Sequence, residues 1–234
     1  MSGSLTLKQV QEHRVLMPVL AQRVDMELSS TYEEFVDCVH AVLDSIINYI
    51  EENPGIRKED SEDRLTIEIV GALRQAGFDA DHDTKIGGHV DIRIRHRIGF
   101  LWLGEAKIHS DYDWLMKGFN QLSTRYARGT PNHNHGGLII YIRAKGVARI
   151  VNEWKACLVN AKLNGFSTEQ CPKRSSLSFY STHILDGANL PYHVRHMAVF
   201  LHYEPKDADS QQNKVTRAKP RKPRVKRQNS STSA

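Results

Sequence analysis

The sequence predicts an α/β protein with a central mixed β-sheet flanked by helices, and three observations lead to this prediction. Two segments with strand-like alternation, 89–96 and 100–107, are joined by a short loop that ends in glycine. Apolar residues recur at helical spacing in the segments on either side of this pair. Near the C-terminus, residues 197–201 read MAVFL, a continuous apolar run that is typical of a strand buried on both faces.

The first part of the chain is predicted to be helical. Residues 5–24 carry scattered apolar residues interrupted by Pro18, so we expect one or two short helices there. A longer amphipathic helix is predicted from a cap at Ser30 or Thr31 to the Asn-Pro-Gly sequence at 53–55. Its apolar stripe must pack either on the rest of this chain or on a second copy, which would give a homodimer or a larger complex.

A second amphipathic helix is predicted from about Asp60 to Ala76. Glu62 stands on the core side of this helix, on the face that also carries Leu65, Ile69 and Leu73. One explanation of this core-facing acid is stabilisation of the helix dipole or cap, worth under about 1 kcal/mol. The other explanation, a role for Glu62 at a functional site, depends on the family resemblance given below. Glu68 lies off that face and fits a solvated position better.

The strand pair at 89–107 carries charged residues that are candidates for a functional site. Its loop, Arg97-Ile98-Gly99, sets a register in which Asp91 lies opposite Glu105, with Cβ atoms about 5 Å apart. Lys107 follows two residues later, so the three charged side chains should leave one exposed face of the hairpin. The other face is expected to carry Val90, Ile92, Ile94 and Trp102.

Opposed carboxylates at this position predict a metal site. Like charges directly opposite one another are destabilising unless something positive lies between them. A divalent cation with oxygen ligands meets that requirement, because carboxylates are among its preferred donors.

The arrangement of Asp91, thirteen intervening residues and Glu105-Ala106-Lys107 resembles the core motif of the PD-(D/E)XK nuclease superfamily. The resemblance covers roughly residues 60–142, and it includes the Gly-Gly pair before the first strand and the helices on either side of the hairpin. Val90 stands where the motif has proline, a departure that many family members share. The resemblance implies a restriction-endonuclease-like core.

The resemblance also implies Mg²⁺-dependent hydrolysis of phosphodiester bonds in DNA, with Mn²⁺ as a substitute metal and RNA not excluded as a substrate. The implied metal ligands are Asp91, Glu105 and the backbone carbonyl of Ala106, and Glu62 is the candidate for a third acidic ligand. Lys107 is implied to orient the attacking water and to stabilise charge on the phosphorane. Restriction, repair and defence against foreign DNA are roles that such small nucleases often serve.

The next helix is predicted from Tyr112 to Arg128, and its apolar set is Trp114, Leu115, Gly118, Phe119 and Leu122. Gln121 resembles the glutamine that many family members place beside the active site. The tyrosine that often follows it at four residues comes here at five, as Tyr126. The cations on the same flank, which either contact phosphate or form a solvated face, are Lys117, Arg125 and Arg128.

Two histidine-containing features are not predicted to be catalytic. The loop at 132–137 reads NHNHGG, but a contiguous His-Asn-His triplet lacks the wide spacing of the HNH nucleases, whose residues are spread over a ββα unit. His89 shares the Asp91 face, where packing or a solvent-facing position is favoured over contact with substrate phosphate. A strand is predicted at 138–142 after this loop.

The C-terminal third predicts a helix at 147–163 and two strands at 177–184 and 194–203, the last of which we expect to extend the central sheet. The domain organisation is then an N-terminal helical extension at 1–58, a nuclease domain at 59–205 and a disordered basic tail at 206–234.

The charge of the chain is concentrated in that tail. The net charge of the 234 residues is +5, yet the segment from Lys206 onward alone holds nine Lys or Arg and two Asp. It is poor in large apolar residues and rich in Pro and Ser, so it cannot bury a core. We expect it to contact nucleic-acid phosphates through a cluster of Lys219, Arg221, Lys222, Arg224, Lys226 and Arg227.

Other features of the sequence bear on location and on rival functions. No apolar run approaches the ~20 residues of a membrane span, and the N-terminus lacks the apolar core of a signal peptide. The sequence therefore predicts a cytoplasmic protein without membrane partners, associated with the nucleoid if it is bacterial. Two alternatives stay open: a non-catalytic nucleic-acid-binding or scaffold subunit that keeps the nuclease fold, and an unrelated α/β protein in which the motif is an ordinary surface ion cluster.

Overall fold

The computed structural model of the protein describes residues 4–206, and the chain forms one compact unit that ends at His202. The helices are α1 (Leu7–Glu12), α2 (Pro18–Leu28), α3 (Tyr32–Glu51), α4 (Glu62–Gln75), α5 (Tyr112–Asn120) and α6 (Val147–Asn160), with a 3₁₀ turn at Pro54–Arg57 and a π-helical turn at Gln121–Tyr126. The strands are β1 (Asp79–Lys85), β2 (His89–Arg95), β3 (Leu101–Ile108), β4 (His135–Ile142), β5 (Ser167–Gln170), β6 (Ser178–Leu185) and β7 (Leu190–Phe200). The predicted tail, with its six clustered cations, lies outside the described residues except for Lys206.

The seven strands form one mixed sheet in the order β1-β2-β3-β4-β7-β6-β5. β4 pairs in parallel with both β3 and β7, and the other neighbours are antiparallel. Parallel pairs need crossover connections, and α5 and α6 lie in the two connections on either side of β4. The predicted α/β class with a central mixed sheet is therefore confirmed, and β7 extends the sheet as expected.

Helices cover both faces of this sheet. On one face, α3 and α4 pack in a cluster that contains Leu43, Ile69 and Trp102. On the other face, α5 and α6 pack in a second cluster that contains Phe119 and Trp154. Strands buried on both faces read as continuous apolar runs, which explains the burial of nearly every residue of β3 and β4.

The β2–β3 hairpin has the predicted register, with Ile92 opposite Gly104 and Arg95 opposite Leu101. Gly99 takes the left-handed conformation, with φ of 91°, that the three-residue loop requires. One detail of the facing pattern is wrong, because Val90 packs in the second cluster whereas Ile92 packs in the first. The pairing of β2 with β3 begins at Ile92. Val90 lies before the paired residues, so it need not face the same side as Ile92.

The structure shows where the apolar stripe of α3 packs. Thr31 caps the helix in a reciprocal arrangement with Glu34, as the sequence indicated. The stripe is buried on the sheet of the same chain, and the Tyr32 hydroxyl donates to the carbonyl of Leu101 at 2.8 Å. α3 and the sheet belong to the same compact unit.

Candidate functional site

The candidate site is a cluster of three carboxylates around the ammonium group of Lys107, near the ends of β2, β3 and α4. The Lys107 Nζ lies 2.8 Å from Glu105 Oε1, 3.3 Å from Glu62 Oε1 and 3.6 Å from Asp91 Oδ2. It also donates to the carbonyl of Ala106 at 2.9 Å. We call Glu62, Asp91, Glu105 and Lys107 the acidic cluster; it contains the implied carboxylate ligands and the lysine of the motif.

Glu62 reaches the cluster from the first turn of α4. Ser61 caps this helix by accepting the backbone N–H of Arg64 at 3.1 Å, which fixes Glu62 as the first helical residue. Glu62 Oε2 then accepts the backbone N–H of Ile108 at 2.7 Å, so this carboxylate ties α4 to the end of β3. Glu68 points elsewhere and pairs with Arg57.

Asp91 and Glu105 come from adjacent strands and have different environments. Asp91 Oδ2 accepts the backbone N–H of Ala106 at 2.8 Å, and about a quarter of its side chain is exposed. Glu105 is 1% exposed, and its Oε2 atom is buried without a hydrogen-bond partner among the described residues. An unpartnered carboxylate oxygen is costly to bury, so Glu105 has unused capacity to bind a cation.

The expectation of an exposed hairpin face is wrong for two of the three motif residues. Glu105 is almost fully buried, and Lys107 is 5% exposed. The reason is tertiary: β3 lies between β2 and β4, and α5 packs so closely that a Cβ on Gly118 would lie 2.8 Å from Lys107 Cγ. Solvent reaches the cluster on the side of Asp91 and Glu62, whose side chains are 25% and 27% exposed.

Burial and crowding shift the pKa values of both buried groups. Desolvation and the neighbouring Asp91 carboxylate raise the pKa of Glu105 to about 7, in spite of its ion pair with Lys107. Desolvation lowers the pKa of Lys107, but the charges of Glu105 and Asp91 outweigh it and raise that pKa to about 12. The lysine therefore stays charged, and negative charge is in excess around it.

The chemistry of these residues fits a hard divalent cation. Three carboxylates and the Ala106 carbonyl supply only oxygen donors, which Mg²⁺ and Mn²⁺ prefer. Within residues 4–206, no group of three or more His, Cys, Asp or Glu side chains is arranged to hold a metal ion as it stands. In the acidic cluster, the Lys107 ammonium lies among the acids and bonds the Ala106 carbonyl.

The helix beside the cluster does not continue as α-helix to Arg128. It changes to a π-helical turn at Gln121–Tyr126, which accommodates one extra residue in the helical ladder. Tyr126, five residues after Gln121, donates its hydroxyl proton to the carbonyl of His89 at the start of β2. Burial raises the pKa of Tyr126, and Glu105 and Asp91 raise it further, so this tyrosine lies close to the acidic cluster.

Close packing against the π-helical turn explains the Gly-Gly pair before β2. Gly87 has φ of 67°, and a Cβ at that position would lie 2.5 Å from the carbonyl oxygen of Arg125. Any other residue would be strained and would collide with the backbone of the π-helical turn. The β1–β2 loop and this turn are therefore fitted to each other.

The remaining predicted contacts lie on the outer side of the helix. Gln121 lines a shallow groove of about 320 Å³ with Lys117 and Arg125, and no hydrogen bond joins it to the acidic cluster. Arg128 donates to the carbonyls of Arg125 and Ala127 at the end of the π-helical turn. The structure thus groups Gln121 with the cations of its flank.

Two residues next to the cluster were not identified as functional from the sequence. Trp114 was assigned to the apolar set of its helix, but it is 36% exposed, and its ring centroid lies 5.6 Å from Lys107 Nζ. Its position seven residues after Lys107, on the helix that follows β3, could have indicated proximity. The sequence places Tyr126 five residues after Gln121 instead of four, and the π-helical turn accounts for this offset.

The histidines that the sequence does not predict to be catalytic are not part of the acidic cluster. Burial lowers the pKa of His133 to about 4, and His133 is 7% exposed. His89 is exposed and its ring pairs with Asp83 at 2.7 Å. Neither imidazole forms a hydrogen bond or ion pair with the acidic cluster.

Comparisons with known proteins returned no match to any family model, to any curated protein or to any solved structure. None of the helices within residues 4–206 is long and apolar enough to cross a membrane. Function is therefore inferred from the chain's own residues.

Proposed function

We propose that this protein is a Mg²⁺-dependent nuclease that hydrolyses phosphodiester bonds of DNA and has a restriction-endonuclease-like core of the PD-(D/E)XK type. The observation that carries the proposal is the convergence of Glu62, Asp91 and Glu105 on Lys107. These residues come from the helix before the hairpin and from both of its strands, which is the order of elements that the resemblance implies. Mn²⁺ is the expected substitute metal, and RNA is the alternative substrate.

Each residue of the cluster has a role in this reaction. Asp91, Glu105, the Ala106 carbonyl and Glu62 would hold the cation, which when bound polarises the phosphate and lowers the pKa of a water ligand. The Lys107 ammonium donates hydrogen bonds to the attacking water and stabilises negative charge that develops on the phosphorane. Tyr126 holds the start of β2 through the His89 carbonyl and so positions Asp91.

The burial of the cluster favours this reading over an ordinary surface ion cluster. Glu105 and Lys107 are both nearly inaccessible, and the acids outnumber the cation. Burying unbalanced charge costs free energy, and strongly perturbed groups of this kind concentrate at functional sites. A non-catalytic nucleic-acid-binding or scaffold subunit remains the alternative, and it predicts binding without cleavage.

The decisive experiment is digestion of supercoiled plasmid, linear duplex, single-stranded DNA and RNA by the full-length protein. Each substrate is incubated with Mg²⁺, Mn²⁺ or EDTA. We expect cleavage with either metal and none with EDTA. Asp91→Asn and Glu105→Gln should abolish it while they preserve DNA binding, because both replacements keep the shape of the side chain and remove one negative charge.

The matched control is Glu52→Gln, which neutralises an exposed acid at the end of α3, outside the acidic cluster. It should cleave like the wild type. Binding without cleavage on every substrate and with every metal would reject the nuclease proposal in favour of the binding-subunit alternative.

A further inference from the structure

Trp114 differs from the other tryptophans in its exposure. The chain has three tryptophans, all within residues 4–206; Trp102 and Trp154 are fully buried, whereas 36% of Trp114 is accessible. Trp114 lies in the first turn of α5, where Asp111 accepts its backbone N–H at 2.7 Å and fixes the start of the helix. An indole is the largest apolar group that this helix presents to solvent, and exposed aromatic side chains of this kind are enriched at binding surfaces.

The surroundings of Trp114 connect the acidic cluster with the cationic flank of the helix. The Lys107 Nζ lies 5.6 Å from the ring centroid, and the Lys117 Nζ lies 4.9 Å from it. Beyond Lys117, the 320 Å³ groove continues along α5 and the π-helical turn to Arg125. The Trp114 ring on α5 therefore lies within 6 Å of Lys107 in the acidic cluster and of Lys117, which lines the groove with Asp113 and Arg125.

We propose that Trp114 stacks on an unpaired nucleobase of single-stranded or frayed DNA, and that the adjoining nucleotides run along this groove. The inference rests on the proposed nuclease function and names the form of DNA that the site accepts. Stacking on a side chain requires a base with an open face, and single strands offer such faces whereas the interior of a duplex does not. Lys117 and Arg125 contact the phosphates of the same strand.

The test uses the full-length protein in EDTA, so that binding is measured without cleavage. Tryptophan fluorescence is titrated with a single-stranded oligothymidine, with an abasic strand of equal length and with the corresponding duplex. Because Trp102 and Trp154 are buried, quenching reports mainly on Trp114. We expect strong quenching by oligothymidine and little by the abasic strand or the duplex.

Substitutions then measure the contribution of the ring to affinity. Trp114→Ala should weaken binding of oligothymidine roughly 10-fold or more, and Trp114→Phe should restore most of the loss. The affinity for duplex should be the same for all three proteins. Tyr49→Ala is the matched control, because Tyr49 is an exposed aromatic residue on α3 with 61% accessibility, and this variant should bind like the wild type.

The outcomes separate this inference from the nuclease proposal. Equal quenching by duplex or by the abasic strand, or unchanged oligothymidine affinity in Trp114→Ala, would overturn the stacking role even if the protein cleaves DNA. Base-dependent quenching in a protein that cleaves no substrate would support the stacking role and reject the proposed nuclease activity. Melting temperatures of the variants show whether each is folded.

Discussion

Two buried cations of the same sheet, Lys107 on β3 and Arg195 on β7, have opposite charge balances. The Lys107 ammonium is shared among three carboxylates within 3.6 Å. Arg195 pairs with the single carboxylate of Asp44 at 2.8 Å and also donates to the His40 carbonyl and the Cys171 sulfur, each at 3.2 Å. Both cations are nearly inaccessible, at 5% and 1% exposure.

The difference separates a balanced ion pair from a cluster in which acid is in excess. A balanced buried pair joins two elements, and Arg195 with Asp44 joins β7 to α3. Glu62 likewise joins α4 to β3, but each carboxylate in excess of the cation adds repulsion and desolvation cost. At the acidic cluster, this cost appears as the raised pKa of Glu105, and a bound divalent cation would remove it.

The largest expected effect is on stability, at the balanced pair. Arg195→Ala leaves the Asp44 carboxylate buried without its cation, and Asp44 Oδ2 already lacks a partner among the described residues. We expect a loss of roughly 3–5 kcal/mol in the free energy of unfolding. Urea denaturation at pH 7 measures it. A loss below about 1 kcal/mol would show that the pair is not structural, and the comparison with Lys107 would then fail.

The next effect is on catalysis, at the unbalanced cluster. Lys107→Met keeps the side-chain stem that packs on Gly118 and removes the ammonium. Single-turnover cleavage should fall at least about 100-fold, which is typical when one preorganised donor is lost. The loss of stability should be smaller than for Arg195→Ala, because Glu62 and Asp91 are partly exposed and can be hydrated. Full activity of Lys107→Met would mean that the motif is coincidental.

The third prediction concerns metal-dependent stability. Mg²⁺ at 100 times its dissociation constant should stabilise the folded wild type by about 2.7 kcal/mol and raise its melting temperature accordingly. Glu105→Gln should lose most of this increment, whereas the balanced-pair variant Arg195→Ala should retain it. Thermal unfolding with and without Mg²⁺ provides the measurement. An equal increment in wild type and Glu105→Gln would place the metal elsewhere.

The smallest effect near neutral pH concerns His196, the neighbour of Arg195 on β7. Burial lowers the pKa of His196 to about 3, from an ordinary 6.5. Its Nδ1 accepts from the Trp154 indole at 3.1 Å, so Nε2 carries the proton that it donates to Ser181. Below pH 6.5 the unfolded chain binds a proton that the folded chain does not, so stability is lost as pH falls from 6.5 towards 3.

His196→Gln tests this assignment, because glutamine can keep a donor and an acceptor without titrating. The wild type should lose up to about 1.4 kcal/mol per pH unit through this group, and the variant should show a shallower dependence. Urea denaturation at pH 7, 6 and 5 measures both slopes. Parallel slopes would assign the acid sensitivity to the other buried histidines, such as His133 and His183.

The parts of the site that could be predicted depend on local periodicity. The loop at Arg97-Ile98-Gly99 fixed the strand register, and the register brought Asp91 and Glu105 together. The helical wheel brought Glu62 to the core side of α4. These features follow from the two-residue period of strands, the 3.6-residue period of helices and one turn. Short segments of sequence are enough to predict each of them.

The parts that could not be predicted depend on which elements become neighbours. Asp44 and Arg195 are 151 residues apart, so no local pattern links them. The burial of Lys107 and the exposure of Trp114 could not be predicted, because each depends on how α5 packs against β3. The edge strand β5 was missed, since four polar residues carry no strand-like alternation.

The π-helical turn at Gln121–Tyr126 has a consequence for comparing this protein with others. The wider turn absorbs its extra residue locally, so removing one residue would restore a regular α-helix and bring the tyrosine to four residues after Gln121. The Arg125 carbonyl would shift with the narrower turn, and its close approach to Gly87 would be lost. Related chains that are one residue shorter here should therefore also differ in the loop that contains Gly87.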